Sequence, residues 1–202
     1  MEKLAVAVLV SGGGTNLQAI LDAESRGEMP CAEVKIVVSN RADAYALTRA
    51  ASRGVATAVV EKKKCASREE FEDGLIAAID GAGAEIIVLA GFMCILSEKF
   101  TSRYAGRILN VHPSLIPKFC GEGFYGLKVH EAVLAAGEKV TGATVHFVNE
   151  IPDGGEIIFQ KEVGVKEGDT PETLQKRVME EAEWILLPRA VEKVAESLLA
   201  RR

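Results

Sequence analysis

Short apolar runs alternate with amphipathic helical patterns through the first half of this chain. The runs cover residues 4–10, 33–39, 56–60 and 85–90. They are too short to be helices, and they lack the polar alternation of a strand with one face in water. Strands of this kind lie in parallel sheets that helices cover on both faces. The helices predicted between the runs cover residues 16–25, 43–53 and 67–79. The first half therefore predicts a Rossmann-like α/β layout.

The second half has longer strands and fewer helices. A strand ends at Asn110 and His112, and two long strands over 140–149 and 156–165 are joined by the turn sequence Pro152-Asp-Gly-Gly155. The other predicted elements are helices over 97–104 and 128–136, a loop over 113–127, and a helix that begins at Pro171 and closes the chain. The fold class is thus α/β. We expect a three-layer sandwich whose mixed sheet is parallel in its N-terminal half and partly antiparallel in its C-terminal half.

Composition narrows the function classes. The 202 residues suit a single domain, and 48% hydrophobic with 26% charged residues is ordinary globular composition. A formal net charge of −5 gives no general attraction to nucleic acid or to an anionic membrane. No run is long enough to span a bilayer, and the N-terminal apolar run is interpreted as a strand and not as a signal peptide. Monomer and homodimer both stay open.

The cysteines are too widely spaced for a CxxC metal or redox motif. They are Cys31, Cys65, Cys94 and Cys120. We therefore expect free thiols in a cytoplasmic protein, and no metal site.

A triple glycine joins the first predicted strand to the first helix, in the segment Ser11-Gly-Gly-Gly-Thr-Asn-Leu17. Glycines let backbone N–H groups approach a ligand, and the following helix N-terminus favours an anion. The segment lacks the lysine of a Walker loop, and Leu17 stands where the GxGxxG fingerprint has its third glycine. A single phosphate monoester is therefore favoured over a dinucleotide. A tight turn without a ligand remains the alternative.

Asn110 and His112 are two residues apart at the end of a predicted strand, so their side chains lie on the same side of the sheet. Pro113 then prevents further regular pairing. A carboxylate that arrives from a distant segment, such as Asp153 in the later Asp-Gly-Gly turn, would orient the imidazole. An amide donor, an imidazole and a carboxylate are what acyl transfer to an amine or to water requires. The alternative is that His112 is a hydrogen-bonded polar group of the core.

Six segments, in this order, resemble the phosphoribosylglycinamide formyltransferase family over about residues 3–190. They are Ser11-Gly-Gly-Gly-Thr-Asn-Leu-Gln18, Ser39-Asn-Arg41, Ala90-Gly-Phe-Met93, Asn110-Val-His-Pro-Ser114, Gly142-Ala-Thr-Val-His-Phe-Val148 and Asp153-Gly-Gly155. The resemblance implies a single formyltransferase domain over residues 1–202, with a phosphate-binding lobe over about 1–100 and a catalytic and folate-binding lobe over about 101–202. It implies formyl transfer from 10-formyltetrahydrofolate to the amine of glycinamide ribonucleotide, in purine biosynthesis.

The resemblance also implies roles for individual residues. Asn110, His112 and Asp153 match the catalytic residues of the family. The residues that match ribonucleotide contacts are Gly13, Gly14, Thr15, Asn16 and Glu183. The residues that match folate contacts are Arg68, Met93, Cys94, Ile95, Leu96, Thr101, Asn149, Glu150 and Ile151. The folate is a cosubstrate, and no metal or tightly bound cofactor is implied.

This interpretation makes the substrate amine the nucleophile. Asn110 and a protonated His112 donate hydrogen bonds to the oxyanion of the tetrahedral intermediate, and Asp153 favours the charged imidazole. Three departures from the family pattern stand out: Cys94 replaces a common arginine, the loop over 119–126 is longer, and the stretch over 177–188 has one extra residue.

Other enzymes of this fold and other protein classes give the alternatives. Formyltetrahydrofolate hydrolase and methionyl-tRNA formyltransferase share the residues around Asn110, but they usually carry an additional domain, which we do not expect here. A regulatory module that binds nucleotide or folate would keep the glycine loop without needing a catalytic group. A nicotinamide oxidoreductase is disfavoured, because Ser39-Asn-Arg41 stands where an acidic ribose ligand is required. We expect His146 to be structural or supporting and His130 to lie at the surface.

Overall fold

The computed structural model describes residues 2–202 and contains one seven-stranded mixed sheet. The strands are β1 (Leu4–Val10), β2 (Ala32–Ser39), β3 (Ala56–Val59), β4 (Ile86–Leu89), β5 (Ile108–His112), β6 (Val140–Phe147) and β7 (Ile157–Gly164). Their spatial order is β3-β2-β1-β4-β5-β6-β7. The strands from β3 to β5 are parallel, and β6 and β7 are antiparallel to their neighbours. The predicted mixed α/β sheet is confirmed.

Within residues 2–202, seven α-helices cover the sheet. They are α1 (Thr15–Ser25), α2 (Tyr45–Ser52), α3 (Arg68–Gly81), α4 (Glu98–Arg103), α5 (Leu127–Ala135), α6 (Pro171–Val178) and α7 (Trp184–Leu199). A 3₁₀ turn spans Lys62–Lys64 and a π-helical turn spans Met179–Glu183. None of the helices within residues 2–202 is both long and apolar enough to cross a bilayer.

The central strand β1 is buried on both faces, as its uninterrupted apolar sequence predicts. Val8 and its alternate neighbours pack into a core with α1, α2, α6 and α7, whereas Ala7 and Leu9 pack into a second core with α3 and α4. Both cores are therefore anchored on the same strand, which fixes the sheet between its two helical layers. The division into two lobes near residue 100 stays a prediction, since the sheet continues without interruption across that point.

The helix that begins at Pro171 is not continuous, so that prediction was wrong in one respect. The N–H of Trp184 bonds to the carbonyl of Met179, five residues back, and this widens one turn to π-helical geometry. Pro188, one turn into α7, has no N–H to donate to a carbonyl of the preceding turn. The widened turn separates α6 from α7 and sets the direction of the side chains on it.

The N-terminus of α3 forms only half of a capping box. The Ser67 side chain accepts the N–H of Glu70. The Glu70 carboxylate, however, accepts the N–H of Ala66 and not that of Ser67.

The strand order reverses between β1 and β4. β1 leads to β2 on one side, whereas β4 leads to β5 on the other. In open α/β sheets, the loops that follow the carboxyl ends of such strands diverge and leave a crevice for ligands. The glycine loop follows β1, and Asn110 and His112 are at the end of β5, so the fold places both at this edge.

Candidate active site

A cleft of about 1060 Å³ opens at the carboxyl ends of β1, β4 and β5. It is lined by residues 12–16, 89–96, 110–113, 121–126, 128, 146, 148–153, 175, 179 and 183. The glycine loop and the three predicted catalytic residues therefore share one cavity. Its volume is somewhat above the range typical of small-molecule sites, which suits two ligands side by side.

The glycine loop turns its carbonyl groups away from the cleft. The Gly12 carbonyl accepts a hydrogen bond from the N–H of Ala46 at 3.0 Å, and the Gly13 carbonyl accepts one from the Nε–H of Arg49 at 2.8 Å. Gly14 is the N-cap of α1 at φ 73°, and no side chain caps the helix. The first N–H groups of α1 are thus available to an anion, as the sequence predicts for a phosphate.

Gly14 tolerates no side chain, and Gly14→Ala is expected to destabilise the fold. A Cβ there would lie 2.6 Å from Cβ of Ala46, in a backbone conformation that disfavours L-residues. We expect a loss of about 3 kcal/mol in free energy of unfolding, from left-handed strain and overpacking together. Gly27→Ala is the control, because Gly27 has φ 74° but an added Cβ would contact nothing. Gly27→Ala should lower the free energy of unfolding, measured in urea, by only about 1–2 kcal/mol. Equal losses in both variants would contradict close packing at Gly14.

Asn110 and His146 are directly opposite each other on β5 and β6. The Asn110 Nδ2 atom lies 3.3 Å from Nε2 of His146 and 3.4 Å from Oδ1 of Asp153. His146 Nδ1 lies 2.8 Å from the carbonyl of Phe147, which can only accept, so Nδ1 carries a proton. In a neutral His146 ring, Nε2 is then the acceptor that faces Asn110. This position fits the structural or supporting role expected of His146, and the strand register brings it into the cluster.

His112 is buried between two acceptors. Its Nε2 lies 2.8 Å from the carbonyl of Phe119, and its Nδ1 lies 3.4 Å from Oδ2 of Asp153. A neutral imidazole has one N–H and can satisfy only one of them, whereas the imidazolium donates to both. The two contacts fix the plane of the ring, with Nδ1 toward Asp153 and Nε2 toward the Phe119 carbonyl.

Asp153 connects the cluster. It has φ 54°, in the left-handed region, at the end of the loop that follows β6. Burial raises the pKa of Asp153, but the neighbouring His146, His112 and the N–H of Gly121 together outweigh it, so the pKa lies below its usual value. Gly121 N donates to Oδ2 at 2.9 Å. Asp153 is therefore an ionised carboxylate with neighbours on each oxygen.

Glu183 is buried in the π-helical turn, at the glycine-loop end of the cleft. Asn16 Nδ2 donates to its Oε2 at 2.7 Å, and Thr15 Oγ1 lies 3.8 Å from Sδ of Met179. Complete desolvation raises the pKa of Glu183 to about 7, and the bond from Asn16 offsets only part of that effect. Oδ1 of Asn16 is buried without a partner among the described residues. Asn16 on α1 and Glu183 in the π-helical turn thus present polar atoms with which a ligand can form hydrogen bonds.

The residues predicted to contact folate fall into two groups. Those in the cleft are Met93, Cys94, Ile95, Leu96, Asn149, Glu150 and Ile151. Among these, Met93, Ile95 and Ile151 are more than half exposed, which gives the cleft an apolar wall open to solvent. This wall suits a flat, partly apolar ligand.

Arg68 and Thr101 are not brought into the cleft. Arg68 donates to the carbonyl of Ile95 at 3.0 Å and to Glu72, so it supports the wall from behind. Thr101 is buried, donates to the carbonyl of Glu98, and borders a neighbouring groove that it shares with Asn149. Thr101 is therefore not in a position to contact a ligand bound in the cleft.

The position of His130 contradicts the prediction that it lies at the surface. It is fully buried on α5, and neither ring nitrogen has a partner among residues 2–202. Burial, together with the charge of His112, lowers the pKa of His130 to about 4. α5 turns this residue into the core alongside Val129 and Val133, a periodicity that the sequence carried.

The cysteines are free thiols. Within residues 2–202, one cluster has three side chains spaced to hold a metal ion, Cys31 with Glu192 and Glu196, and it lies outside the cleft.

The topology and the site define a class: an α/β protein in which a glycine loop with available N–H groups and a cluster of an amide, imidazoles and a carboxylate share a cleft at the switch point of the sheet. Comparison with known proteins gives the family. The sequence profile of the family described as "Formyl transferase" matches residues 4–191, and the chain belongs to that family.

Relatives cover nearly all of this chain. It is 41% identical over 194 residues to the phosphoribosylglycinamide formyltransferase of Haemophilus influenzae, with 96% of this chain and 88% of that protein covered. It is 46% identical to the trifunctional purine biosynthetic protein adenosine-3 of Gallus gallus, of which it spans only 18%. The crystal structure of glycinamide ribonucleotide transformylase 1 from Symbiobacterium toebii superposes with a TM-score of 0.90 at 40% identity, covering 96% of this chain and 89% of that chain.

Proposed function

We propose that this chain transfers the formyl group of 10-formyltetrahydrofolate to the primary amine of glycinamide ribonucleotide, in purine biosynthesis. One observation carries the proposal: the N–H groups of the glycine loop, the cluster of Asn110, His112 and Asp153, and the apolar wall all line one cleft. A phosphorylated amine and a folate, side by side, need such an arrangement. The names of the relatives support it independently.

The reaction forms one C–N bond and breaks another. The substrate amine attacks the formyl carbon and gives a tetrahedral intermediate with a negatively charged oxygen. Expulsion of the folate nitrogen then leaves the formyl group on the substrate, and the proton released by the amine passes to the folate. The nucleophile comes from the substrate, so the chain needs no serine or cysteine for this step.

The geometry supports a separate role for each side chain. Asn110 Nδ2 would donate to the oxyanion, and a protonated His112 would donate to it from Nε2 in place of the Phe119 carbonyl that this atom faces in the structure. The Asp153 carboxylate stabilises the imidazolium and fixes its orientation. It also lies where it can take the amine proton, directly or through a water. His146 would hold Asn110 by accepting one of its two amide hydrogens, which leaves the other hydrogen for the oxyanion.

A transfer assay tests the proposal. Purified protein is mixed with 10-formyltetrahydrofolate, with and without glycinamide ribonucleotide, and loss of donor is followed spectrophotometrically. We expect donor loss only when the ribonucleotide is present. Loss without it would identify a hydrolase, and no loss in either case would favour a binding module; both outcomes would overturn the proposal.

A further inference from the structure

The cleft is acidic, although the proposed substrates are anions. Its lining carries the carboxyl groups of Glu122, Glu150, Asp153 and Glu183. Lys128 is the single lysine or arginine among the described residues that line it. The glycine loop offers backbone N–H groups, which carry only partial charges. Among the described residues that line the cleft, Lys128 is therefore the lysine or arginine available to a phosphate dianion, whereas His112 faces Asp153 and the Phe119 carbonyl.

Lys128 lines the part of the cleft that α5 and α6 border. It belongs to the first turn of α5, which packs against α6. α6 contributes Gln175 to the lining and leads into the π-helical turn, which meets the glycine loop through Met179 and Glu183. The apolar wall comes instead from Met93 and Ile95 in the loop after β4 and from Ile151 in the loop between β6 and β7. Position thus associates Lys128 with the phosphate end.

The ammonium group of Lys128 is held without being neutralised. Nζ donates to the Tyr125 hydroxyl at 2.9 Å and lies 4.5 Å from the centre of that ring. Lys128 forms no ion pair with a carboxylate of residues 2–202. Gly123 and Gly126, on either side of Tyr125, both have positive φ, so the segment that carries the aromatic ring turns on glycines. Tyr125 and Lys128 are both exposed at the mouth of the cleft.

We propose that Lys128, positioned by Tyr125, contacts the 5′-phosphate of the ribonucleotide from the side opposite the glycine loop. This rests on the proposed function and extends it. The N–H groups of the loop orient the phosphate, and Lys128 supplies the charge that they lack. The contact forms equally in the ground state and in the transition state, because the phosphate is remote from the reacting carbon. Lys128 is therefore a determinant of affinity and not of turnover.

Another anion could meet the same side chain, namely a glutamate carboxylate of the folate. The two sources are separated by steady-state kinetics in which each substrate is varied in turn. For Lys128→Met we expect KM for the ribonucleotide to rise about tenfold, the scale of one lost charge contact. We expect kcat and KM for the formyl donor to stay within about twofold. Lys128→Arg should restore most of the affinity.

Lys118→Met is the matched control, because Lys118 is an exposed lysine near the same loop that pairs with Glu138 and does not line the cleft. It should leave all three constants unchanged. Tyr125→Phe removes the hydroxyl but keeps the ring, and should raise KM for the ribonucleotide by a few-fold. A rise in KM for the formyl donor, or no change in either KM, would overturn the inference while the wild type still transfers formyl groups.

A binding measurement keeps the inference separate from the reaction. Ribose 5-phosphate is titrated into wild type and Lys128→Met by calorimetry, at low and at moderate salt. We expect the wild type to bind more tightly, with a steeper loss of affinity as salt rises. Equal affinity and equal salt dependence would overturn the inference, whatever the transfer assay shows. If the wild type binds ribose 5-phosphate but transfers no formyl group, the proposed function fails and Lys128 stands as an anion contact.

Discussion

Asp153→Asn is expected to lower kcat about a thousandfold, the combined effect of losing a proton acceptor and the support of an oxyanion donor. The substitution keeps the shape of the side chain, and its amide oxygen can still accept the N–H of Gly121. It removes the charge that faces Nδ1 of His112 and Nε2 of His146. The imidazolium then loses its counter-charge, and the amine loses its nearest base. Single-turnover formyl transfer measures the effect.

The control for Asp153→Asn is Asp43→Asn, an exposed aspartate that pairs with Arg41 away from the cleft. It should leave turnover unchanged. Because Asp153 acts partly through His112, the double variant with His112→Ala should lose little more than the more damaging single variant. If the loss of kcat in the double variant equalled the product of the losses in the two single variants, the two residues would act independently, which would contradict the coupling.

Glu183→Gln is expected to stabilise the folded chain above neutral pH and to have little effect in acid. The folded pKa of Glu183 is raised to about 7 from 4.5. Between those values the folded chain keeps a proton that the unfolded chain has released, so the free energy of unfolding falls as the pH rises. The loss begins above pH 4.5 and is complete above about pH 7. Its full size is about 3 kcal/mol.

The glutamine cannot ionise, so the variant escapes this loss, and its side-chain oxygen can still accept from Asn16. Urea unfolding at pH 5 and pH 8 measures the difference between variant and wild type. Glu181→Gln is the matched control, because Glu181 is exposed in the same π-helical turn. A constant difference between the two pH values would contradict a buried carboxyl that ionises near neutrality. Since Glu183 lines the cleft, the stabilised variant should bind the ribonucleotide less well.

The pattern of apolar runs and turn residues was sufficient to predict the sheet. β1 is apolar at every position and is buried on both faces. The turn sequence Pro152-Asp-Gly-Gly155 predicted the antiparallel pair β6 and β7. The i, i+2 spacing placed Asn110 and His112 on one side of β5, where both line the cleft. These predictions succeeded because each depends on the geometry of a single strand or turn.

What the sequence did not predict depends on contacts between separate elements. His146 joins the cluster only because β5 and β6 pair in the register that sets it opposite Asn110. Lys128 reaches the cleft only because α5 packs against α6. The prediction that His130 lies at the surface is wrong because the position of a histidine on a helix beside a long loop does not show which face of that helix packs into the core. Local patterns carry no information about registers and packing between elements.

The π-helical turn between α6 and α7 has a consequence for how the length of this chain can change. A widened turn absorbs an additional residue locally, so the helical faces before and after it keep the orientation that packs against the sheet. Insertion or deletion of one residue is therefore confined to that turn, in the way that a bulge confines an extra residue in a strand. Val178 and Leu187 stay in the core while Met179 and Glu183, between them, face the cleft. The last helix can thus vary in length at its ligand-facing turn without shifting its buried surface.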